Sequence, residues 1–213
     1  VICACHINLT DSGLRSVSMC FRKNLENVIY YSEFNDTETF SETESIIVQI
    51  NPYEIIIPRT LLAEYQGFES LAKNHSILVS KVKLENYKTP IGFKEFSDLI
   101  DNESIPTLHK INISSLNVYN CVSVLISYVK ETLSENNSKY LLSNFDRSDF
   151  MCLDGAAIKS LSIFPDIDNS NNSSLFGLLN TCKTKQGQRL LATWVRQPLR
   201  NKIQLGKSLY FEY

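Results

Sequence analysis

The sequence predicts an α/β fold, in which helices flank a mixed β-sheet, followed by an all-α segment. Three observations support this prediction. The chain begins with three strand-like segments joined by short turns. Helical segments and apolar strand-like segments then alternate, which is typical of a sheet covered by helices. Beyond Asp146 no strand pattern remains, and the hydrophobic residues recur at the spacing of helices.

The first three elements are predicted to be strands. Val1–Leu9 is mostly apolar and ends before a turn at residues 11–13, which contains Gly13. Leu14–Phe21 follows, with alternate apolar residues on one face, and Asn27–Glu33 is the third strand. Because such short turns connect neighbours in a sheet, the three strands are expected to pair as an antiparallel meander.

Helices and strands then alternate twice. The predicted segments, in order, are the helix Thr37–Ile50, the strand Tyr53–Ile57, the helix Arg59–Lys73 and the strand Ser76–Ser80. Asp36 or Thr37 can cap the first helix, and Pro52 ends it. Apart from Glu54, the Tyr53–Ile57 run is apolar, as expected in the middle of a sheet. The resulting order is β-β-β-α-β-α-β.

A long amphipathic helix, Ser115–Leu133, is predicted from apolar residues that repeat every three to four positions. A short helix is predicted before it, near Phe93–Ile100, and Ser134–Ser138 after it is a polar linker candidate. Further on, an Asn/Asp/Ser-rich loop, Asp166–Ser173, separates the first two of four predicted helices. These helices are Asp154–Ile163, Ser174–Cys182, Thr184–Arg196 and Asn201–Tyr213.

Composition and charge narrow the function classes. The formal net charge of −2 argues against a free-standing nucleic-acid binder with a basic face. No apolar run approaches the roughly 20 residues needed to cross a bilayer, so no membrane association is expected. The six cysteines include no Cys-x-x-Cys pair, and we expect reduced thiols and no metal site. The chain begins without Met and ends inside a predicted helix, so we expect a piece of a longer polypeptide.

An ordered motif in the last third carries most of the functional information. After Met151-Cys152-Leu153-Asp154-Gly155, the sequence contains Ser174-Leu175-Phe176-Gly177-Leu178-Leu179. It continues with Lys183-Thr184, Gly187, Arg189-Leu190, Trp194 and Gln197-Pro198-Leu199. In its order and spacing, this series resembles the start of the core, or lever, domain of MutS-family DNA mismatch-repair proteins.

The first two thirds of the chain resemble the same family more diffusely. The segments that are similar to the MutS connector domain are Phe34, Phe40, Gln49-Ile50, Pro52 and Glu54-Ile55-Ile56-Ile57-Pro58. In the family this domain has a ribonuclease-H-like fold, which agrees with the predicted order of elements. The resemblance therefore implies a connector domain at residues 1–145 and the beginning of the lever domain at residues 146–213.

The resemblance also implies a function. A parent MutS protein would recognise mismatched duplex DNA in the nucleus, as a heterodimer with another MutS homologue. It would use ATP and Mg²⁺ through a domain outside this chain, so no cofactor is expected within the 213 residues. The piece itself would couple the ATPase and mismatch-binding parts of the parent, and its connector domain would dock a MutL-type protein.

The motif residues are expected to have structural roles. Asp154 and Thr184 can each cap a helix, which contributes roughly 1 kcal/mol. Gly187 either lets two helices approach or only tolerates crowding, Trp194 would anchor a core, and Pro198 would end its helix. The full structural signature is Asp154, Lys183, Thr184, Gly187, Arg189, Trp194 and Pro198. No catalytic, cofactor-binding or metal-binding residue is expected.

Two other functions are compatible with parts of the pattern. A two-metal nuclease can use a ribonuclease-H-like fold but needs several converging carboxylates. Val1–Leu9 has no acid, and the fourth strand offers only Glu54 at its edge. An unrelated α/β interaction module with a helical tail would show the same order of elements.

No Gly-x-x-x-x-Gly-Lys-Ser/Thr loop occurs, so the chain itself is not expected to hydrolyse ATP. The modest basic cluster of Lys81, Lys83 and Lys88 is expected to be a solvated edge, with weak phosphate contact as the alternative.

Overall fold

A computed structural model describes residues 1–11, 13–23, 26–59, 64–88, 97–104, 116–133, 139–151, 153–165, 174–203 and 205–206. The chain forms two compact units. The sheet unit comprises Val1–Phe40 and Pro52–Phe145, and the helical unit comprises Ser41–Asn51 and Asp146–Tyr213. The assignment of residues 1–145 to a connector domain and 146–213 to a lever domain stays a prediction.

Within the described residues, the sheet unit contains a six-stranded mixed sheet. Its strands are β1 (Ile2–Leu9), β2 (Arg15–Arg22), β3 (Val28–Asp36), β4 (Glu54–Arg59), β5 (Leu78–Lys83) and β6 (Leu141–Asn144). They lie in the order β5-β4-β1-β2-β3-β6. β2 is antiparallel to β1 and β3, whereas β4, β5 and β6 run parallel to their neighbours β1, β4 and β3. The predicted meander and the ribonuclease-H-like mixed sheet are confirmed.

The described helices surround the sheet or build the helical unit. They are α1 (Ser41–Ile50), α2 (Glu64–Asn74), α3 (Leu84–Lys88), α4 (Leu116–Leu133), α5 (Gly155–Ser160), α6 (Leu175–Leu179) and α7 (Lys185–Arg196). The long helix α4 has nearly the predicted bounds, and it packs on β1, β2 and β3 through a buried face that includes Val122, Leu125 and Ile126. None of the described helices is both long and apolar enough to span a bilayer.

Tyr65 of α2 completes the hydrogen bonding of β1. The strand β4 accompanies β1 only as far as the pair Ala4↔Ile56, so β1 has an unpaired edge beyond that point. There the Ile7 N–H donates to the Tyr65 hydroxyl oxygen at 2.9 Å, and that hydroxyl donates to the Ile7 carbonyl at 3.3 Å. One side chain therefore satisfies two backbone groups that would otherwise be buried without partners.

Left-handed residues move two predicted boundaries. The first helix begins at Ser41 and not at Thr37, because Phe40 adopts φ 55° and interrupts the helical path. Asp36 ends β3, and its carboxylate accepts the Thr37 N–H at 2.7 Å. The prediction that Asp36 or Thr37 caps α1 is therefore wrong. In the same way Ser76, at φ 57°, ends the turn after α2, and β5 starts two residues later than predicted.

Two short elements of the sheet unit were not predicted. The strand β6 has only four residues, too few for a hydrophobic period to stand out, and it is held by parallel pairing with β3 from Val28↔Leu141 to Tyr31↔Asn144. The helix α3 directly follows β5, and the hydroxyl of its buried Tyr87 donates to the Ile56 carbonyl at 3.0 Å. Most of the helix predicted near Phe93–Ile100 lies outside the described residues, as does the linker candidate Ser134–Ser138.

The helices of the helical unit are shorter than predicted. The helix α5 stops at Ser160 because Ser162 adopts φ 48°, and the N–H groups of Ser162 and Ile163 close its end on the carbonyls of Lys159 and Ile158. Residues 202–203 and 205–206 are helical, in agreement with a last helix. The rest of that helix and the loop at residues 166–173 lie outside the described residues.

Candidate functional site

Side-chain oxygens cap the N-termini of three helices in the segment that contains the sequence motif. Asp154, Ser174 and Thr184 each accept the backbone N–H of the residue three positions further on, at 2.7, 3.0 and 3.1 Å. Each oxygen thereby satisfies one of the donors that the start of a helix leaves unpaired. The capping roles predicted for Asp154 and Thr184 are confirmed. The cap at Ser174 was missed, although its position directly before an apolar helical run was a usable signal.

Gly187 lies against the turn that precedes its own helix. A Cβ atom added there would meet the Thr184 hydroxyl at 3.3 Å and the Cys182 side chain at 3.4 Å. The nearest atoms therefore belong to the cap of α7 and not to a second helix. Two roles were considered for Gly187, a close approach of two helices or mere tolerance of crowding. The structure supports the second role. A larger residue would push against the hydroxyl that caps the helix.

The helix α7 presents part of its apolar side outward. Trp194 is 45% exposed and Leu190 is 52% exposed, so the prediction that Trp194 anchors a core is wrong for the described part of the helical unit. Other exposed large apolar side chains of this unit are Met151, Leu161, Leu175, Leu178, Leu179, Ile203 and Leu205. A surface of this kind is typical of a site that another protein segment covers. Lys183 and Arg189 are also exposed, and their signature role stays a prediction.

A hydrogen-bond network connects α1 to the Gln197-Pro198 pair inside the helical unit. The Gln197 side-chain amide donates to the Gln49 carbonyl at 2.9 Å, and the Gln49 side-chain amide donates to the Met151 carbonyl at 3.1 Å. The Met151 N–H in turn donates to the Pro198 carbonyl at 2.8 Å. The sequence motifs contained Gln49 and Gln197, but their spacing gave no sign that the two residues meet.

An ion pair and a short backbone bridge add to this network. Arg147 donates to the Glu42 carboxylate of α1 at 2.5 Å, and Phe150 bridges Leu199 in antiparallel fashion. The pair is partly exposed, so its contribution to stability is modest, about 0.2–1 kcal/mol. Together these contacts hold α1 within the helical unit, even though its sequence lies between the strands β3 and β4.

The end of α7 is fixed by stacking. The guanidinium of Arg196 lies 4.2 Å from the centroid of the Phe164 ring, and Phe164 lies 5.4 Å from Phe176 of α6. Burial lowers the pKa of Arg196 from its usual value, yet the group stays charged at neutral pH. The Arg196–Phe164 cation–π contact and the Phe164–Phe176 ring contact together connect α7 to α6.

The same segment matches a known family. The family model described as MutS domain III matches residues 156–207. The DNA mismatch repair protein msh-2 of Neurospora crassa is 31% identical over 97% of this chain and 23% of its own length. MSH2 of Saccharomyces cerevisiae is 29% identical over 81% of the chain and 20% of its length. The bacterial MutS of Caldanaerobacter subterraneus is 26% identical over 85% of the chain and 20% of its length.

The chain belongs to the MutS family. It spans about a fifth of the length of these relatives. The domain III match runs from α5 through α7, so it coincides with the capped helices and the exposed apolar face. Relatives named MSH2 are similar over most of the chain, in agreement with the Gln186-Gly187-Gln188 variant of the motif, which resembles MutS homologue two. Family membership excludes the alternative of an unrelated α/β interaction module.

Among the described residues, the acids that a two-metal nuclease would need are not brought together. The strand β1 carries no acid, and Glu54 of β4 is held by hydrogen bonds from the hydroxyls of Ser80 and Tyr128. Among the described residues, no group of three or more His, Cys, Asp or Glu side chains could hold a metal ion. His6 is stacked on Tyr87 with 5.2 Å between the ring centroids, which is a packing role.

The thiols and the basic cluster of the sheet unit are likewise structural. Four cysteines, which we call the core thiols, are free and buried, namely Cys3, Cys5, Cys20 and Cys121. Burial raises the pKa of each, so these thiols are unreactive at neutral pH. Lys81 pairs with Glu69 at 2.8 Å, and Lys83 is exposed, in agreement with a solvated edge. The Lys88 side chain lies outside the part of the chain that the structure describes.

Proposed function

We propose that this chain is the connector and the beginning of the lever of a mismatch-recognition protein, and that it couples the ATPase and mismatch-binding parts of that parent. The parent would work in the nucleus with another MutS homologue, on mismatched duplex DNA, with ATP and Mg²⁺ bound outside this chain. The piece itself would be non-catalytic. Family membership supports the setting, and the α1 network supports the coupling role.

The observation that carries the coupling role is the placement of α1 in the helical unit. This helix is covalently continuous with β3 on one side and β4 on the other, both strands of the sheet. Its other attachments are the Gln49–Gln197, Gln49–Met151 and Glu42–Arg147 contacts of the helical unit. A displacement of α7 would therefore pull on α1 and, through the chain, on two strands. Energetic coupling between two sites requires a structural element whose conformational equilibrium both sites shift.

The coupling role is tested in the full-length parent with Gln197→Ala. The substitution removes the donor to the Gln49 carbonyl and leaves the capped start of α7 unchanged. We expect affinity for mismatched duplex DNA within about twofold of wild type, while mismatch-stimulated nucleotide exchange falls about fivefold or more, the usual size of an allosteric coupling. Lys185→Ala, at an exposed position of the same helix outside the structural signature, is the matched control. Unchanged stimulation in Gln197→Ala, with DNA affinity also unchanged, would contradict the proposal.

We also propose that the sheet unit docks a MutL-type protein. The chain is slightly acidic, so it lacks the charge that drives general binding to DNA. The outer surface of α2 and β5 carries mixed charge, with Glu69 paired to Lys81 and Lys73 exposed beside them. Mixed charge suits a polar, reversible protein contact.

Docking is tested by NMR titration of the 213-residue chain with the N-terminal domain of a cognate MutL-type protein. We expect localised shifts in the sheet unit that weaken as salt is added. Lys73→Glu should weaken the interaction, and Lys159→Glu in the helical unit serves as the control. No shift with the partner, together with clear shifts on addition of duplex DNA, would redirect the function of this surface to DNA contact.

A further inference from the structure

A polar cavity lies in the sheet unit beside the edge strand β5. It has a volume of about 270 Å³, lies between β5, α3 and α4, and is open to the surface, where Asn86 and Glu131 are exposed. Its lining residues are Val82, Asn86, Ser123, Val124, Ser127, Tyr128 and Glu131. Sites for drug-sized ligands measure roughly 300–1,000 Å³, so this cavity suits a single side chain rather than a nucleotide or larger molecule.

Two carboxylates give the cavity a negative potential. Glu131 lines it and is exposed. Glu54 lies behind Tyr128 and is only 6% exposed, and its carboxylate accepts hydrogen bonds from Tyr128 and Ser80. Among the described residues, no lysine or arginine lines the cavity and Glu54 has no ion pair. A buried carboxylate without a counter-ion favours a cation nearby.

The hydroxyl of Tyr128 presents an acceptor to the cavity. Its proton is committed to the Glu54 carboxylate at 2.5 Å, and this hydrogen bond raises the pKa of Tyr128 above its usual value. The bond to a carboxylate increases the negative charge on the Tyr128 oxygen, which the hydroxyls of Ser80 and Thr132 also approach. An anion at this position would face both Tyr128 and Glu131, so anions are disfavoured.

The cavity wall contains a buried polar group that has no hydrogen-bond partner among the described residues. The Ser123 hydroxyl is 2% exposed, lines the cavity and lacks a hydrogen bond of ordinary geometry, with the Tyr119 hydroxyl near it but outside that geometry. Asn86 and Ser127 add a carbonyl oxygen and a hydroxyl oxygen that can accept. Buried polar groups without partners are rare in folded proteins, which points to a ligand that brings donors.

We infer that this cavity receives a lysine or arginine side chain from a partner protein. The cationic head would donate to Glu131, to Tyr128 and to the free acceptors of the wall, and its aliphatic stem would lie against Val82 and Val124. This inference rests on the docking role proposed above and names the chemistry of the contact. It also predicts that a docking partner carries a basic side chain at the centre of its interface.

The first test is NMR titration of the 213-residue chain with N-acetyl-arginine amide and, as a matched neutral probe, N-acetyl-citrulline amide. We expect saturable shifts of Asn86, Ser127 and Glu131 with the arginine probe and none with citrulline. Glu131→Gln should weaken the arginine probe about fivefold or more, and Glu103→Gln, an exposed acid of the same unit outside the cavity, should not. Equal shifts from both probes, or from MgCl₂ alone, would overturn the inference.

A second measurement separates this inference from the docking proposal. The N-terminal domain of the MutL-type partner is titrated into the wild-type chain and into Glu131→Lys, whose own cation would occupy the cavity. We expect docking to wild type and a loss of about tenfold or more in the variant. Docking that is equally tight to both overturns the cavity inference and leaves the docking role intact. Arginine binding without partner docking overturns only the docking role.

Discussion

Replacing Tyr65 with phenylalanine should weaken the sheet unit far more than the loss of one hydroxyl suggests. Tyr65 is 2% exposed, as is Ile7, and its hydroxyl satisfies both the N–H and the carbonyl of Ile7 where β4 no longer pairs with β1. A buried backbone group left without a partner costs about 1–3 kcal/mol. Two such groups would together cost about 2–6 kcal/mol. The substitution also removes the cost of burying the hydroxyl itself, so the free energy of unfolding should fall by about 2–4 kcal/mol.

Amide hydrogen exchange in β1 and β2 measures the opening free energy of the sheet unit in wild type and in Tyr65→Phe. The control is Tyr53→Phe, which removes a hydroxyl from a side chain that is 49% exposed and should change stability by no more than about 0.5 kcal/mol. The fluorescence of Trp194, the single tryptophan, reports on the helical unit and should not change. A loss in Tyr65→Phe as small as that of the control would refute the argument.

Three further predictions follow from burial and exposure. Mass spectrometry should find all six cysteines alkylated after denaturation without reductant, and a mass lower by two hydrogens would contradict free thiols. In the folded chain, Cys182 should be alkylated far faster than the core thiols, which are buried. Amides after Asp146 should exchange faster than those of the sheet unit, since the helical unit exposes an apolar face; equal protection in a dilute monomer would contradict this. Burial lowers the pKa of His6, so the unfolded chain binds more protons as pH falls below about 6.5. Stability present above that pH should be lost on acidification in urea titrations, and less steeply in His6→Gln; identical pH profiles would exclude His6 as the cause.

Local patterns in the sequence were sufficient for much of the fold. The alternation of β1–β3, the helical period of α4 and the apolar run of β4 depend only on neighbouring residues and on which side of an element faces the core. The caps at Asp154 and Thr184 were predictable for the same reason, because a cap joins atoms three residues apart. The MutS motif added the family, since its order and spacing extend over 50 residues or so.

Other features depended on contacts between distant residues. β6 is a strand because β3 offers a free edge, and Trp194 is exposed because the described helical unit supplies no cover for that face. Nothing in the local sequence distinguishes these outcomes from a loop or from a core position. Left-handed residues such as Phe40 also shift helix boundaries, and a non-glycine residue gives no local sign of that conformation.

The sequence by itself therefore determined the class of fold, the capped helices and the family of this chain. Only the tertiary structure decided that Tyr65 completes β1 from 58 residues away, that Gln197 holds α1 from 148 residues away, and that Glu54 lies behind a cavity wall. The physical reason is that a hydrogen bond depends on distance and angle between two groups. When those groups lie far apart in the chain, only the packing of the intervening elements sets that geometry.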